Sequence, residues 1–199
     1  MITSMAESQV RSGLLQSTKA HSNLLTVCLP KIAMTGHITE GSHGKIVQRL
    51  NATRRLAFGP TSVFIDIGSG MGRAALHWAS ASPRAALGFD ICPSVIHAST
   101  AAVEKVQHKL PGRLAPIAVF QADARDLQSI TPATHVFAFE GDKFLLEESA
   151  RLAAGTTTCK VLILVRACRD TSSLLECGLI DTDNSLRLDG EDVITISGK

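Results

Sequence analysis

Residues 62–72 form the stretch Ser62-Val-Phe-Ile-Asp-Ile-Gly-Ser-Gly-Met-Gly72, an apolar run that leads directly into three alternating glycines. The run is rich in β-branched and aromatic residues, which predicts a buried strand. A helical segment, Ala74-Ala-Leu-His-Trp-Ala79, follows the last glycine. Glycines between a strand and a helix let the backbone approach a ligand closely. The stretch therefore predicts an α/β fold with a ligand site at the turn.

Strand-like and helical segments alternate along the rest of the chain. Further apolar runs predict strands at Ala85–Phe89, Ala115–Phe120, Thr134–Phe139 and Lys160–Val165, and β-like stretches follow at Ser185–Leu188 and Asp192–Ser197. The last two flank Asp189-Gly190, a dipeptide typical of a tight hairpin. Strands that alternate with crossover helices imply a parallel sheet. The expected fold is Rossmann-like α/β, with a mostly parallel seven-stranded sheet and a C-terminal antiparallel hairpin.

The composition excludes several classes of protein. Of the 199 residues, 45% are hydrophobic and 19% are charged, with a net charge of +2, which excludes wholesale disorder and a histone-like polycation. No apolar run reaches the length of a membrane span. The cysteines lack a C-x-x-C pair and the histidines are scattered, which predicts reduced thiols and no metal site. We expect an intracellular protein of the nucleus or cytoplasm, with a flexible lead-in over residues 1–30 and one domain over residues 31–199.

Acidic side chains stand at the predicted ends of three strands. Asp66 precedes the first glycine, Asp90 ends the second strand, and Asp123 follows the third. The carboxyl ends of parallel strands meet in the crevice where such sheets bind ligands. Asp66 would repel a phosphate and suits a cationic amino group, as in the methionine part of S-adenosylmethionine. Asp90 suits the two ribose hydroxyls, and Asp123 suits the exocyclic amine of adenine.

From about residue 35 to 197 the chain resembles the class I S-adenosylmethionine-dependent methyltransferases. A narrower resemblance is to the non-SET histone-lysine methyltransferases of the disruptor-of-telomeric-silencing family. It lies in Thr35-Gly-His-Ile-Thr-Glu40, Lys45-Ile-Val-Gln-Arg-Leu50 and Val63-Phe-Ile-Asp-Ile-Gly-Ser-Gly-Met-Gly72. The resemblance implies that S-adenosyl-L-methionine is the cofactor, that Thr39 contacts its methionine end and that Gly36 shapes the loop around it.

The predicted site residues lie in this loop and at the strand ends. The cofactor contacts are Thr39, Asp66, Gly68, Ser69, Gly70, Gly72, Asp90, Ile91, Asp123, Ala124 and Phe139. After the fourth strand, Phe139, Glu140 and Asp142 are the candidate catalytic residues. Glu140 and Asp142, with Lys143, would orient or deprotonate the acceptor, and Phe139 would be an aromatic neighbour. The chain departs from the family there, since Glu140-Gly141 replaces an asparagine pair. A solvated cap on the following helix would explain Glu140 and Asp142 equally well.

The charges are unevenly distributed. Residues 1–139 carry 13 Lys and Arg against 7 Asp and Glu, and there is no acid from Gly41 to Ile65. Basic residues fall in this acid-free stretch, at Lys45, Arg49, Arg54 and Arg55. On a helix expected over Gly44–Ala57 they predict contact with an acidic macromolecule, a nucleosome or RNA. A solvated helix face is the alternative.

The expected activity is methyl transfer to a macromolecular acceptor. The family resemblance favours a protein lysine, in a histone-like substrate, and RNA is the second candidate. The absence of any Tyr fits poorly with an aromatic-lined lysine channel. A third reading is a non-catalytic subunit that keeps the fold as a scaffold, because the glycine turn is intact and the acceptor loop is degenerate.

Overall fold

The computed structural model of this chain describes residues 40–52, 57–81, 83–139, 143–166, 185–188 and 191–197. The expected lead-in over residues 1–30 therefore lies outside the described residues. Within the described part, no helix is long and apolar enough to cross a membrane. The same part holds no cluster of three His, Cys, Asp or Glu side chains that could bind a metal ion.

Helices and strands alternate in the order that the sequence predicts. The helices are α1 (Glu40–Ala52), α2 (Arg73–Ser80), α3 (Pro93–Lys109) and α4 (Lys143–Gly155), with a short 3-10 helix at Ala124–Asp126. The strands are β1 (Val63–Ile67), β2 (Ala85–Asp90), β3 (Ile117–Gln121), β4 (His135–Phe139), β5 (Val161–Arg166), β6 (Ser185–Leu188) and β7 (Glu191–Ser197). Helix α1 begins at Glu40 rather than at the predicted Gly44, because Ser42 and His43 are buried and this packing outweighs the low helix propensity of the glycines.

The strands form one sheet in the order β3-β2-β1-β4-β5-β7-β6. Strands β1 to β5 are parallel, which confirms the predicted parallel sheet. Strand β7 pairs with β5 in the antiparallel direction, and β6 pairs with β7 in the same way. The chain order of the strands reverses between β1 and β4. The carboxyl ends of β1, β2 and β4 therefore border a crevice, the usual ligand site of such sheets.

Two apolar layers enclose the sheet, because alternate residues of its central strands face opposite sides. Phe64 and Phe137 pack on one side with Trp78 of α2 and with the buried Ile46 and Leu50 of α1. The Trp78 and Phe64 rings stack with their centroids 4.5 Å apart. On the other side, the neighbouring strand residues pack against α4 and the loop that follows β3. Both layers fix the strand ends that border the crevice.

Candidate functional site

The glycine turn after β1 has the conformation that its sequence predicts. Gly68, Gly70 and Gly72 have φ angles of 72°, 50° and 72°, in the left-handed region that favours glycine. The backbone N–H groups of Gly68 and Ser69 both donate to the carbonyl oxygen of Phe89, at 2.9 Å. These bonds hold the turn against the end of β2. Gly72 is the N-cap of α2, so the turn delivers the chain directly into that helix.

Asp90 is bonded directly to the glycine turn. Its Oδ2 accepts a hydrogen bond from the Gly70 N–H at 3.0 Å, and its Oδ1 accepts one from the Cys92 N–H at 2.9 Å. A carboxylate oxygen can accept a second hydrogen bond, so each oxygen keeps capacity for one further donor. Two hydroxyls on neighbouring carbons, as on ribose, match this arrangement. The geometry fits the role that the sequence predicts for Asp90.

Asp66 lies beneath the turn rather than on the crevice surface, with only 2% of its surface exposed. Burial, followed by the charge of Asp90, raises the pKa of Asp66 from 3.8 to about 8, although a hydrogen bond from the Ala75 backbone favours the charged form. The carboxyl group therefore keeps its proton at pH 7. A cationic group bound at the turn would favour the ionised form of the Asp66 carboxyl group.

Asp66→Asn is expected to flatten the pH dependence of stability. Because the folded-state pKa of about 8 exceeds the unfolded value of 3.8, the native state keeps a proton that the unfolded chain releases. For one such proton, the free energy of unfolding falls by up to about 1.4 kcal/mol for each pH unit across this interval. Urea unfolding of both forms at several pH values between about 5 and 7 measures the slopes. Equal slopes would contradict the prediction.

The segment after β3 is joined to β2 and carries the third acid. The Ala122 N–H donates to the carbonyl oxygen of Asp90 at 3.0 Å. Asp123 caps the 3-10 helix by accepting from the Arg125 N–H at 2.9 Å, and both of its oxygens also accept from the Arg125 guanidinium. The amine of an adenine would therefore share the Asp123 carboxylate with Arg125. Ala124, the next predicted contact, is buried.

Exposed apolar side chains surround the crevice. Met71 lies in the glycine turn, Ile91 follows Asp90, and Phe144 lies at the start of α4, and all three are exposed. The Arg125 guanidinium lies over the Phe144 ring, 5.7 Å from its centroid. Such surfaces suit a flat apolar ring such as a purine. Ile91 is a predicted cofactor contact, whereas Met71 and Phe144 are not among the predicted cofactor contacts. Their position beside a strand end is the only sequence signal for such a role.

Gly88 is a second residue that the predictions omit. It lies within β2, and a Cβ built on it would lie 2.7 Å from Cβ and 2.9 Å from Oγ of Ser69. The Ser69 hydroxyl is buried there and has no hydrogen-bond partner among the residues that the structure describes. The lack of a side chain at position 88 thus lets the turn lie close to β2. A glycine inside a strand is the sequence signal for such a close backbone approach.

Gly88→Ala is expected to displace the turn and weaken binding of S-adenosylhomocysteine by about tenfold or more, in line with the cost of overpacking. Adding Ser69→Gly removes the two atoms that would lie within 3.0 Å of the new methyl group and leaves Val119 Cγ1, at 3.4 Å, as the next nearest, so the double variant should recover most of the affinity. Adding Ser69→Ala leaves the Cβ contact of 2.7 Å and should not restore binding. Calorimetric titration measures all three variants, and equal affinities for the two double variants would refute the steric account.

The remaining predicted residues divide between described and undescribed parts of the chain. Phe139 ends β4 at the crevice and is partly buried. Lys45 and Arg49 are exposed on α1, one helical turn apart. Residues outside the described ranges are Thr39, Glu140, Asp142, Arg54 and Arg55. The contribution of these residues to the site stays a prediction.

Comparisons with known proteins identify the fold. No family model and no curated protein matches the chain. Among solved structures, magnesium protoporphyrin IX methyltransferase from Synechocystis PCC 6803 with bound S-adenosylmethionine is 16% identical, with a TM-score of 0.60 over 85% of this chain and 88% of that one. An RNA methyltransferase from Salinibacter ruber, in complex with S-adenosylhomocysteine, is 17% identical, with a TM-score of 0.53 over 77% and 90% of the two chains.

A third similar structure is the ribosomal protein L11 methylase from Lactobacillus delbrueckii subsp. bulgaricus. It is 17% identical, with a TM-score of 0.54 over 70% of this chain and 71% of that one. The three proteins differ in what their names say they methylate and share the α/β architecture. The present chain therefore has the fold of the class I S-adenosylmethionine-dependent methyltransferases.

Proposed function

We propose that this chain binds S-adenosyl-L-methionine in the crevice and transfers its methyl group to a macromolecular acceptor. The observation that carries the proposal is the Asp90 carboxylate, held by the N–H groups of Gly70 and Cys92 beside a turn of left-handed glycines. Solved structures with the same fold contain S-adenosylmethionine or S-adenosylhomocysteine, which supports the choice of cofactor.

Each strand end would serve a different part of the cofactor. Asp90 would accept the ribose hydroxyls, and Ile91 would cover the adenine ring. Asp123 and Ala124 would border its polar edge, and the glycine turn would hold the methionine end. When bound, the cofactor supplies a methyl group activated by a positive sulfur, so most of the protein's contribution is to position the acceptor.

The acceptor would approach from the end of β4. Phe139 borders this side of the crevice, and Glu140 and Asp142 follow it in the sequence. We assign Phe139 to positioning of the acceptor, and Glu140 and Asp142 to its orientation and to removal of its proton. A narrow lysine channel would need aromatic walls, and Phe144 is an exposed aromatic ring close by in sequence. Mutation of Glu140 or Asp142 should lower the rate of methyl transfer more than it lowers the affinity for the cofactor.

Two macromolecular acceptors have separate support. A protein lysine is favoured by the resemblance at Lys45–Leu50 and Val63–Gly72, and the comparisons add no support for the histone-lysine enzymes. RNA is favoured by the name of a similar structure and by the exposed Lys45 and Arg49 on α1. The protoporphyrin enzyme shows that the fold also serves small molecules. The acceptor must therefore be found by experiment.

The decisive experiment has two stages. Calorimetric titration with S-adenosylhomocysteine tests binding, and transfer of a labelled methyl group to nucleosomes, other proteins and RNA tests activity. Binding with transfer to one polymer supports the proposal and identifies the acceptor. Binding without any transfer favours the non-catalytic subunit, and absence of binding refutes the cofactor assignment.

The double variant Lys45→Ala, Arg49→Ala is expected to bind RNA or nucleosomes more weakly, while its affinity for S-adenosylhomocysteine stays the same. Protein groups that bind phosphates release counterions, so the slope of log affinity against log salt should become shallower by about one unit for each phosphate that is no longer bound. Exposed Lys105 and Lys109 of α3 provide a control pair with the same change in charge. If both double variants shifted the slope equally, a specific role for α1 would be excluded.

A further inference from the structure

Helix α4 holds the segment that follows β3 through one arginine. The Arg151 guanidinium donates from its NH2 group to the carbonyl oxygens of Ala124 at 3.0 Å and Leu127 at 2.9 Å. Its Nε donates to Glu148 Oε2 at 2.7 Å, one turn earlier in the same helix. The guanidinium is thus fixed within α4 and bonded to both ends of the 3-10 turn.

These bonds complete the attachment of the segment. At its start, Ala122 is bonded to the Asp90 carbonyl of β2. Between the two attachments lies Asp123, whose carboxylate accepts from the guanidinium of the adjacent Arg125. The Ala122 bond at one end and the Arg151 bonds at the other therefore both help to fix the position of Asp123 relative to Asp90.

An arginine side chain is suited to holding the Ala124 and Leu127 carbonyl groups together. A guanidinium is planar and presents several N–H groups in a fixed arrangement, so it can serve two carbonyl groups and a carboxylate together. A lysine ammonium is a compact donor on a flexible stem and would not hold both carbonyls in the same geometry. The sequence gives no sign of this role, since Arg151 follows Ser149 and Ala150 on an otherwise ordinary amphipathic helix.

We propose that Arg151 is a positioning residue for recognition of the adenine base. By holding the Ala124 and Leu127 carbonyls, it places Asp123 and Ala124 where the polar edge of the base would lie. Loss of Arg151 should therefore relax discrimination between bases and leave the ribose contact of Asp90 in place. The inference rests on the proposed function, because it assumes that the crevice binds S-adenosylmethionine.

The test compares S-adenosylhomocysteine with S-inosylhomocysteine, which has a carbonyl oxygen where adenine has an amine. The wild-type protein should prefer the adenine compound by at least about tenfold, because the oxygen would face the Asp123 carboxylate without a hydrogen bond. Arg151→Met should reduce this preference to about threefold or less, mainly through weaker binding of the adenine compound. Arg151→Lys keeps the charge and should give an intermediate ratio.

A second arginine, distant from the crevice, provides the control variant. Arg84→Met removes an exposed arginine at the start of β2, at the end of the sheet opposite the crevice, and should leave the ratio unchanged. An unchanged ratio in Arg151→Met, or in Arg151→Lys if the Met variant does not fold, would overturn the positioning role. Failure of the wild-type protein to bind either compound would instead refute the proposed function.

Discussion

Gly70→Val is expected to abolish binding of S-adenosylmethionine while the chain still folds. Gly70 has a φ angle of 50°, where a β-branched side chain is strained. Relief of that strain would move the Gly70 N–H away from Asp90, which it now contacts at 3.0 Å. Calorimetric titration measures the loss of affinity, and circular dichroism measures the fold.

Gly112→Val is a matched control for this experiment. Gly112 also has a positive φ angle, of 70°, and a Cβ there would meet no atom within 4 Å. It lies between α3 and β3, at the end of the sheet opposite the crevice. We expect a similar loss of stability with unchanged affinity. If Gly70→Val bound the cofactor as tightly as Gly112→Val did, the turn would not be the binding site.

Much of the fold could be predicted because its determinants are local in sequence. The strands at Val63–Ile67 and Val161–Arg166 are apolar except at Asp66 and Arg166, and residues 63–67 and 161–165 are buried, as is typical of central strands of a parallel sheet. Left-handed backbone favours glycine, so the glycines at 68, 70 and 72 predict the turn itself. Because the carboxyl ends of parallel strands lie at the same edge of the sheet, the residues that follow these strands lie together at the crevice.

Contacts between distant segments could not be predicted in the same way. Gly88 is needed because Ser69 lies against it, and the sequence does not show that these residues meet. Arg151 reaches Ala124 from α4 across 27 positions of the chain. The proton on Asp66 at pH 7 likewise follows from burial and from the neighbouring Asp90, which depend on the packed structure. Contacts of this kind arise only when the chain folds, and the local sequence pattern does not reveal them.

Asp90→Ala is expected to lower the affinity for adenosine and for S-adenosylhomocysteine by about 10- to 150-fold. This range corresponds to about 1.5–3 kcal/mol, the usual contribution of a hydrogen bond to a charged group. The loss has two sources, because the carboxylate both faces the crevice and holds the N–H groups of Gly70 and Cys92. Glu104→Ala removes an exposed acid from α3 and controls for the change in net charge.

A ligand without ribose hydroxyls separates the two sources. If Asp90 binds the ribose directly, 2′,3′-dideoxyadenosine should bind weakly to the wild-type protein and lose little further affinity in Asp90→Ala. The excess loss for adenosine then measures the direct contact between the carboxylate and the hydroxyls. If both nucleosides lost affinity equally, Asp90 would act only through the turn that it holds, and the ribose assignment would be wrong. Asp90 would then be a positioning residue for Gly70, and the ribose hydroxyls would need another acceptor in the crevice.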